Sequence, residues 1–411
     1  PNYTRDYTIT LNVAPGQTLQ NVDVTDVIPE NAQYVGPITT SSPASCSTSG
    51  TEVPGGSFTC TFTTLSGTQT ISFPFYIPRV EADNSDVLNP QSGSPVTSCN
   101  NVDALGDWAP LDPRDLGSTD NVSAGSAAAP CEDTLNDHSL VVYKSTALTN
   151  DVGSVDLGPG DTLTHTLNFD VSDYFAINNI VLTDTISDGQ HFDAGFTPTL
   201  VINGNTYSLI ANDINSANYT VACNYTGAVA DGAPCDIANP PDGTGTTVVT
   251  FRVSDEIVTR GQDGRMVGGC IDPATGSAAP ECTGVSGYND GPTQGTIVYQ
   301  TIVQNDFTDD FGVDHTASVD QGDILNNHVE VTGQLLNTAD FSTDSMGTPT
   351  DPSSTQQVIE RGSLRKSIFA VNGAAPGSPV RITAGDQVTY RLDYTLTTSD
   401  VEDLYLYDFF P

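Results

Sequence analysis

Apolar and polar residues alternate in short stretches along this chain, as they do in strands that lie on a core. Successive side chains of a strand point to opposite faces, so Ile180, Leu182, Asp184 and Ile186 share one face. Val22, Val24, Asp26 and Ile28 do the same, as do Leu404, Leu406, Asp408 and Phe410. Each predicted strand therefore turns one carboxylate toward its aliphatic side. A second set carries an amine: Leu140, Val142, Lys144 and Leu148 share a face, as do Leu364, Lys366, Ile368 and Ala370. A third set carries amides, Asn327 with Val329 and Val331, and Asn100 with Val102 and Ala104.

These strands repeat. Tyr7–Val13 leading to Val22–Ile28 has the shape of Leu163–Phe169 leading to Ile180–Ile186, and of Val388–Tyr394 leading to Leu404–Phe410. Further matches pair Phe58–Phe62 with Val248–Arg252 and Ile71–Ile77 with Ile297–Val303. Lys144 and Lys366 lie 222 residues apart, Asp184 and Asp408 224, and Asn100 and Asn327 227. Self-similarity at a long period is the mark of a repeat architecture. The expected organisation is a repeat lacking its first strand over 1–106, a complete repeat over 138–338 and the start of a third over 361–411. The segments 107–137 and 339–360, rich in Asp, Pro, Ser, Thr and Gly without apolar periodicity, are expected to be linkers. The whole resembles a window cut from a longer tandem array.

Composition strengthens the all-β reading, since Asp, Thr, Gly, Val, Ser and Asn dominate and strong helix formers are few. Twelve basic residues face 51 acidic ones, a formal charge of −39. That field repels nucleic acid and anionic lipid, and no apolar run approaches the roughly 20 residues that span a bilayer. The eight cysteines suit four local disulfides, Cys46–Cys60, Cys99–Cys131, Cys223–Cys235 and Cys270–Cys282, although spacing alone does not fix connectivity. The last two would staple long insertions of the complete repeat. An even count without CxxC pairs, with sequons at Asn2, Asn121, Asn218 and Asn224, points to an oxidising, extracellular location.

Lysine occurs only twice, at the same repeat position. Ionised groups in an apolar core are costly unless paired or neutralised, and burial lowers a lysine pKa and raises an aspartate pKa. A neutral Lys144 amine could attack the side-chain amide of Asn327 while Asp184 shuttles the proton, releasing ammonia and leaving an isopeptide bond. The plainer alternative is a buried Lys144–Asp184 ion pair with Asn327 hydrogen-bonded. The first repeat offers Asp26 and Asn100 without a lysine, and the third offers Lys366 and Asp408 without an asparagine.

This order, lysine on the first strand, aspartate on a central strand and asparagine on the last, resembles the isopeptide-containing Ig-like domains of bacterial pilins and adhesins. The Gly-Asp turns at 160–161 and 385–386 and the Asn-x-Val-x-Val-x-Gly run ending at Gly333 are also similar to tandem repeats of bacterial surface proteins. The resemblance implies tandem Greek-key β-sandwich domains, a cell-surface location, a mechanical role as adhesin stalk, filament, sheath or surface-layer subunit, and other copies or neighbouring repeats as partners. The competing reading is a carbohydrate- or matrix-binding adhesin module that uses the insertions of the second repeat. No cofactor is required, and Asp306, Asp309, Asp310 and Asp314 form a candidate Ca²⁺ loop. Enzyme signatures such as GxSxG, HExxH or a P-loop are missing. His165 and His328 fall in strands and read as surface or packing residues.

Overall fold

The computed structural model describes residues 4–90, 92–108, 120–125, 131–152, 156–202, 205–209, 219–225, 236–237, 243–271, 294–311, 315–343, 346–359, 362–396 and 404–409. The first unit comprises β1 (Arg5–Asn12), β2 (Leu19–Val27), β3 (Gln33–Tyr34), β4 (Thr39–Thr40), β5 (Ser45–Ser49), β6 (Ser57–Leu65), β7 (Thr68–Tyr76), β8 (Val96–Trp108), β9 (Asp120–Gly125) and β10 (Asp133–Asp137). One sheet runs β1-β7-β3 with β4 also on β7, and the other runs β10-β8-β2-β6-β5 with β9 on β8. The alternating residues predicted to face inward do so: Val22, Val24, Phe58, Phe62, Ile71 and Phe73 form one buried cluster.

The second unit holds β11 (Leu140–Asn150), β12 (Thr162–Val171), β13 (Ala176–Ile186), β14 (Gln190–Phe192), β15 (Thr199–Ile202), β16 (Asn205–Ser208), β17 (Tyr219–Cys223), β18 (Asp236–Ile237), β19 (Thr247–Arg252), α1 (Val253–Thr259), β20 (Met266–Val267), β21 (Gln294–Val303), β22 (Ile324–Leu335) and β23 (Thr350–Val358). Its sheets run β11-β12-β21-β15-β16 and β18-β17-β19-β13-β22-β23. A hairpin of β24 (Ser363–Val371) and β25 (Val388–Thr395) begins the third unit. The chain is thus nearly all β, built as antiparallel sandwiches, with α1 as the one helix among the described residues. That helix was not expected. Val253 and Ile257, four apart, bury its inner side, and Ser254 Oγ accepts the Ile180 amide at 2.8 Å.

A shared bulge identifies the repeat at atomic detail. The β2–β8 register slips between Gln20 and Asp23, and the β13–β22 register between Asn178 and Val181. Asn21 and Asn179 sit there at φ 50° and 51°, a left-handed conformation that asparagine tolerates. Gly106 and Gly333 lie beside these bulges, where a Cβ would meet Val22 at 2.9 Å and Ile177 at 2.5 Å.

Two strand matches need correction. Asp26 lies across from Phe58 and Asp184 across from Val249, so Phe58 corresponds to Val249 and not Val248. With Phe73 and Tyr299 as equivalents, their partners Tyr7 and His165 correspond, two residues from the sequence match. Strand pairing decides register, and a local motif of alternating Thr and apolar residues fits either offset.

The expected linkers also differ. Within 107–137, β9 pairs with β8 and β10 pairs with Val96–Asn100 of β8; within 339–360, β23 pairs with β22 along nine positions. β23 is built of Thr, Asp, Pro, Ser and Gln before its final Val358, and β10 holds the single apolar residue Leu135, so these strands carry little apolar signal, yet an open sheet edge orders them through backbone bonds. Val87 and Leu88 of the first unit belong to the core cluster of the second. Ser139, between β10 and β11, is buried and donates to the Gly93 carbonyl at 3.1 Å.

Candidate functional site

Lys144, Asp184 and Asn327 meet in the core of the second unit. β11 delivers Lys144 from one sheet, opposite Leu167, while adjacent strands β13 and β22 deliver Asp184 and Asn327 from the other. All three are 3% exposed or less. Lys144 Nζ donates to Asp184 Oδ2 in a short ion pair.

Tyr299 of β21 ties the set together. Its hydroxyl donates to Asp184 Oδ2 at 2.8 Å and accepts from Lys144 Nζ at 3.2 Å and from Asn327 Nδ2 at 3.1 Å. His165, expected on the surface or in packing, is buried and stacks on Tyr299 with ring centroids 4.8 Å apart. Its Nε2 lies 2.9 Å from Thr301 Oγ1, whose own proton goes to Gln190 Oε1 at 3.1 Å, so Nε2 carries the hydrogen. His165 Nδ1 is then an acceptor, shared between Thr146 Oγ1 at 2.9 Å and Asn327 Nδ2 at 3.2 Å. Both amide hydrogens of Asn327 are taken, which fixes the amide plane and leaves Asn327 Oδ1 without a partner. Asp184 Oδ1 is also unpartnered.

Burial drives the protonation states. It holds Lys144 down at about 8, against the pull of the Asp184 charge, and raises Asp184 against the opposing charge of Lys144. It also keeps His165 well below the usual histidine range, helped by the Lys144 charge, and so neutral. Both members of the pair are pushed toward an amine and a carboxylic acid.

The expected linker 339–360 holds the lysine strand. Asp351 Oδ2 accepts the Val142 amide at 2.8 Å, Ser353 Oγ accepts the Lys144 amide at 3.0 Å, and Thr355 Oγ1 bonds Thr146 Oγ1 at 2.7 Å. Every second residue of β23 thereby closes the outer edge of β11. The sequence reading missed Tyr299, His165 and this edge. Inward-facing aromatic residues with a polar atom, and an Asp-x-Ser-x-Thr alternation, were the available signals.

The partial sets differ. Asn100 Nδ2 donates to Asp26 Oδ2 at 3.2 Å, both residues are buried, and each keeps an unpartnered Oδ1. Burial raises Asp26 to about 7. Lys366 pairs with Asp408, both about a quarter to a third exposed, and donates to the Phe409 carbonyl at 3.2 Å.

A pH dependence follows for the first unit. The Asp26 carboxyl ionises near 3.8 in the unfolded chain and near 7 in the fold. Its stabilisation is fully present below about pH 4, declines as pH rises, and is lost above about 7. Three pKa units correspond to about 4 kcal/mol. Asp137, pushed up to about 6 by burial, acts in the same direction. Denaturant titrations at pH 5 and pH 8 are expected to give the higher midpoint at pH 5, and Asp26→Asn should remove most of the difference. Equal midpoints for the parent chain would refute this account.

Cys46–Cys60 and Cys99–Cys131 are disulfides, the first across the β5–β6 pair and the second from β8 to the residues just before β10. Cys223 and Cys270 are disulfide-bonded, while Cys235 and Cys282 lie outside the described residues. Among the described residues no three His, Cys, Asp or Glu groups gather into a metal site; Asp314 lies outside them. The loop with Asp306, Asp309 and Asp310 instead turns the amides of Thr308, Asp309 and Asp310 onto the buried Asp188 carboxylate, at 2.8, 2.6 and 2.9 Å. No described helix is long and apolar enough to cross a membrane.

No protein-family model and no curated protein sequence matches the chain. Solved structures do. The T6 backbone pilin of serotype M6 Streptococcus pyogenes matches at 11% identity over 92% of this chain and 68% of that one, with a TM-score of 0.26. The full-length major pilin SpaD from Corynebacterium diphtheriae matches at 10% identity over 93% and 75%, with a TM-score of 0.27. The collagen-binding domain of the Erysipelothrix rhusiopathiae surface protein RspB matches at 11% identity over 86% and 89%, with a TM-score of 0.22. The structural neighbours of this all-β chain are bacterial pilin and collagen-binding adhesin domains.

Proposed function

We propose that the chain is a load-bearing segment of an extracellular bacterial surface protein, whose second unit is locked by an isopeptide bond between Lys144 and Asn327. The observation that carries this reading is the convergence of amine, carboxyl and amide in a sealed core, with Tyr299 bonded to all three. No diffusible substrate can reach side chains so deeply buried, so the chemistry acts on the protein itself. The neutral Lys144 amine attacks Asn327 Cγ while protonated Asp184 stabilises the charge growing on Oδ1. The Nζ–Cγ bond forms and the Cγ–Nδ2 bond breaks. Nδ2 leaves as ammonia, carrying the proton that the amine gives up through Asp184. Fixed geometry supplies most of the acceleration. The disulfides support an oxidising, cell-surface location.

The intact mass of the denatured, reduced polypeptide is expected to fall short by one ammonia, with a branched peptide joining Lys144 to Asn327. Asp184→Asn should restore the full mass. A full mass in the parent chain would leave the buried ion pair alone to join the sheets.

A second reading, ligand binding, is favoured by a cavity of about 460 Å³ between the units, lined by Arg5, Asp137, Asp170, Asp173 and Tyr174 among others. That size suits a small ligand. Glycan and matrix-protein arrays, repeated with Asp170→Ala, test it.

A further inference from the structure

On the proposed reading, crosslinking in the second unit moves a proton as well as forming a bond. The attacking amine gives one up, and the amide nitrogen that leaves must gain one. Asp184 Oδ2 bonds Lys144 Nζ, while Asp184 Oδ1 is without a partner and neither oxygen bonds Asn327. The carboxyl therefore touches the nitrogen that loses the proton and not the one that receives it. Tyr299 Oη spans the two, 3.2 Å from Lys144 Nζ, 2.8 Å from Asp184 Oδ2 and 3.1 Å from Asn327 Nδ2. Among the described residues no other side chain bonds both nitrogens; His165 reaches Nδ2 alone.

Packing fixes that hydroxyl in place. β21 lies between β12 and β15 in its sheet. The buried Tyr299 ring stacks on His165 and on Phe192, with centroids 4.8 and 6.1 Å away, and tilts against Phe251 at 5.6 Å. Burial, with the Asp184 charge beside it, holds the phenol well above the usual tyrosine range, so it stays protonated. A neutral hydroxyl both accepts and donates, so it can pass a proton on without storing charge. Phe73 occupies the matching position of the first unit and is also buried, so this fold accepts the same ring without the hydroxyl.

We propose that Tyr299 is a catalytic residue of the crosslinking reaction, the relay that hands the proton released by Lys144 to the departing Asn327 nitrogen. The assignment rests on the reading that this set crosslinks. The Nζ lone pair forms the Nζ–Cγ bond as the carbonyl electron pair moves onto Oδ1. Cγ is then tetrahedral, and the Nδ2 lone pair, no longer shared with the carbonyl, becomes an acceptor. The Tyr299 hydroxyl turns from Asp184 toward Nδ2. Nζ gives one proton to Asp184 Oδ2, Asp184 gives one to Oη, and Oη gives its own to Nδ2. The carbonyl re-forms, the Cγ–Nδ2 bond breaks and ammonia leaves. Asp184 and Tyr299 each receive one proton and release one, and nothing is oxidised or reduced.

The test follows loss of ammonia by denaturing mass in the Pro1–Pro411 polypeptide, sampled at intervals after cell-free synthesis. Tyr299→Phe removes one oxygen and is expected to crosslink at least roughly a hundredfold more slowly than the parent, the scale of general acid–base catalysis. Phe192→Leu loosens the packing of the Tyr299 ring but keeps its hydroxyl, and should stay within a few-fold of the parent rate. A crystal structure of uncrosslinked Tyr299→Phe should show Asn327 Nδ2 still on His165 Nδ1. Crosslinking of Tyr299→Phe at the parent rate overturns the relay and leaves the crosslink standing. An equal delay in Phe192→Leu, or an Asn327 amide turned away from His165, assigns the effect to packing or placement and also overturns it. A parent chain that keeps its full mass overturns the crosslinking reading and the relay together.

Discussion

Replacing Lys144 by methionine is expected to destabilise the second unit by about 3–5 kcal/mol at pH 7, even before any covalent bond is counted. Methionine fills the volume but leaves the fully buried Asp184 carboxylate without its cation. The fold must then bury an uncompensated charge or hold the acid protonated, and either option is costly. Because the folded pKa moves further up, the deficit should shrink as pH falls toward about 4, where the unfolded chain is protonated too. Asn327→Ala separates the covalent part. It keeps the Lys144–Asp184 pair and removes the proposed crosslink, which would close a loop of about 180 residues and be worth about 5 kcal/mol in the chain-entropy model. Lys144→Met combined with Asp184→Leu should recover the ion-pair part, since apolar replacement of a whole buried pair is often neutral. Denaturant unfolding of the four proteins gives the ordering. A Lys144→Met chain as stable as its parent at pH 7 would sink this account.

Asp188→Ala is expected to cost on the order of 4 kcal/mol, through a different physical route. The Asp188 carboxylate accepts backbone amides from Gly189, Thr308, Asp309 and Asp310. Removing it strands four donors, each worth roughly 1–3 kcal/mol when left unsatisfied. The loop would lose its anchor beside Phe307, which packs with Leu163, Val303, Val319 and Leu325. Gly245 belongs to the same device. It sits at φ +64°, and a Cβ there would come within 2.1 Å of Asp188 Oδ2, so Gly245→Ala should imitate the loss. Limited proteolysis between Asp306 and Phe311 provides the readout, and a cleavage rate unchanged by Asp188→Ala would show that the loop is held by other contacts.

Much of this architecture is visible in one line of sequence because alternation is local. The faces of Lys144, Asp184 and Asn327 follow from neighbours two residues away, and all three are buried as that pattern requires. Tyr299 and His165 escaped because their role depends on pairing between β12 and β21, whose residues lie more than a hundred positions apart. Asp351, Ser353 and Thr355 escaped for another reason. Their strand is polar on both faces, so burial leaves no imprint, and only the position of β11 explains why these residues alternate. The same holds for β9 and β10, where an edge ladder orders residues that composition alone assigns to a linker.

The shortness of the joint between the first two units has its own consequence. Only His138 and Ser139 separate β10 from β11, Ser139 is pinned to Gly93, and Val87 and Leu88 cross into the next core. Flexible tethers let end-to-end distance grow only as the square root of their residue number. Units seated on one another in this way add their full length, so reach grows in proportion to the number of repeats. On the proposed role as a load-bearing segment, a series of such units would hold its far end at a set distance from its base, and an added or deleted repeat would change that distance by one fixed step.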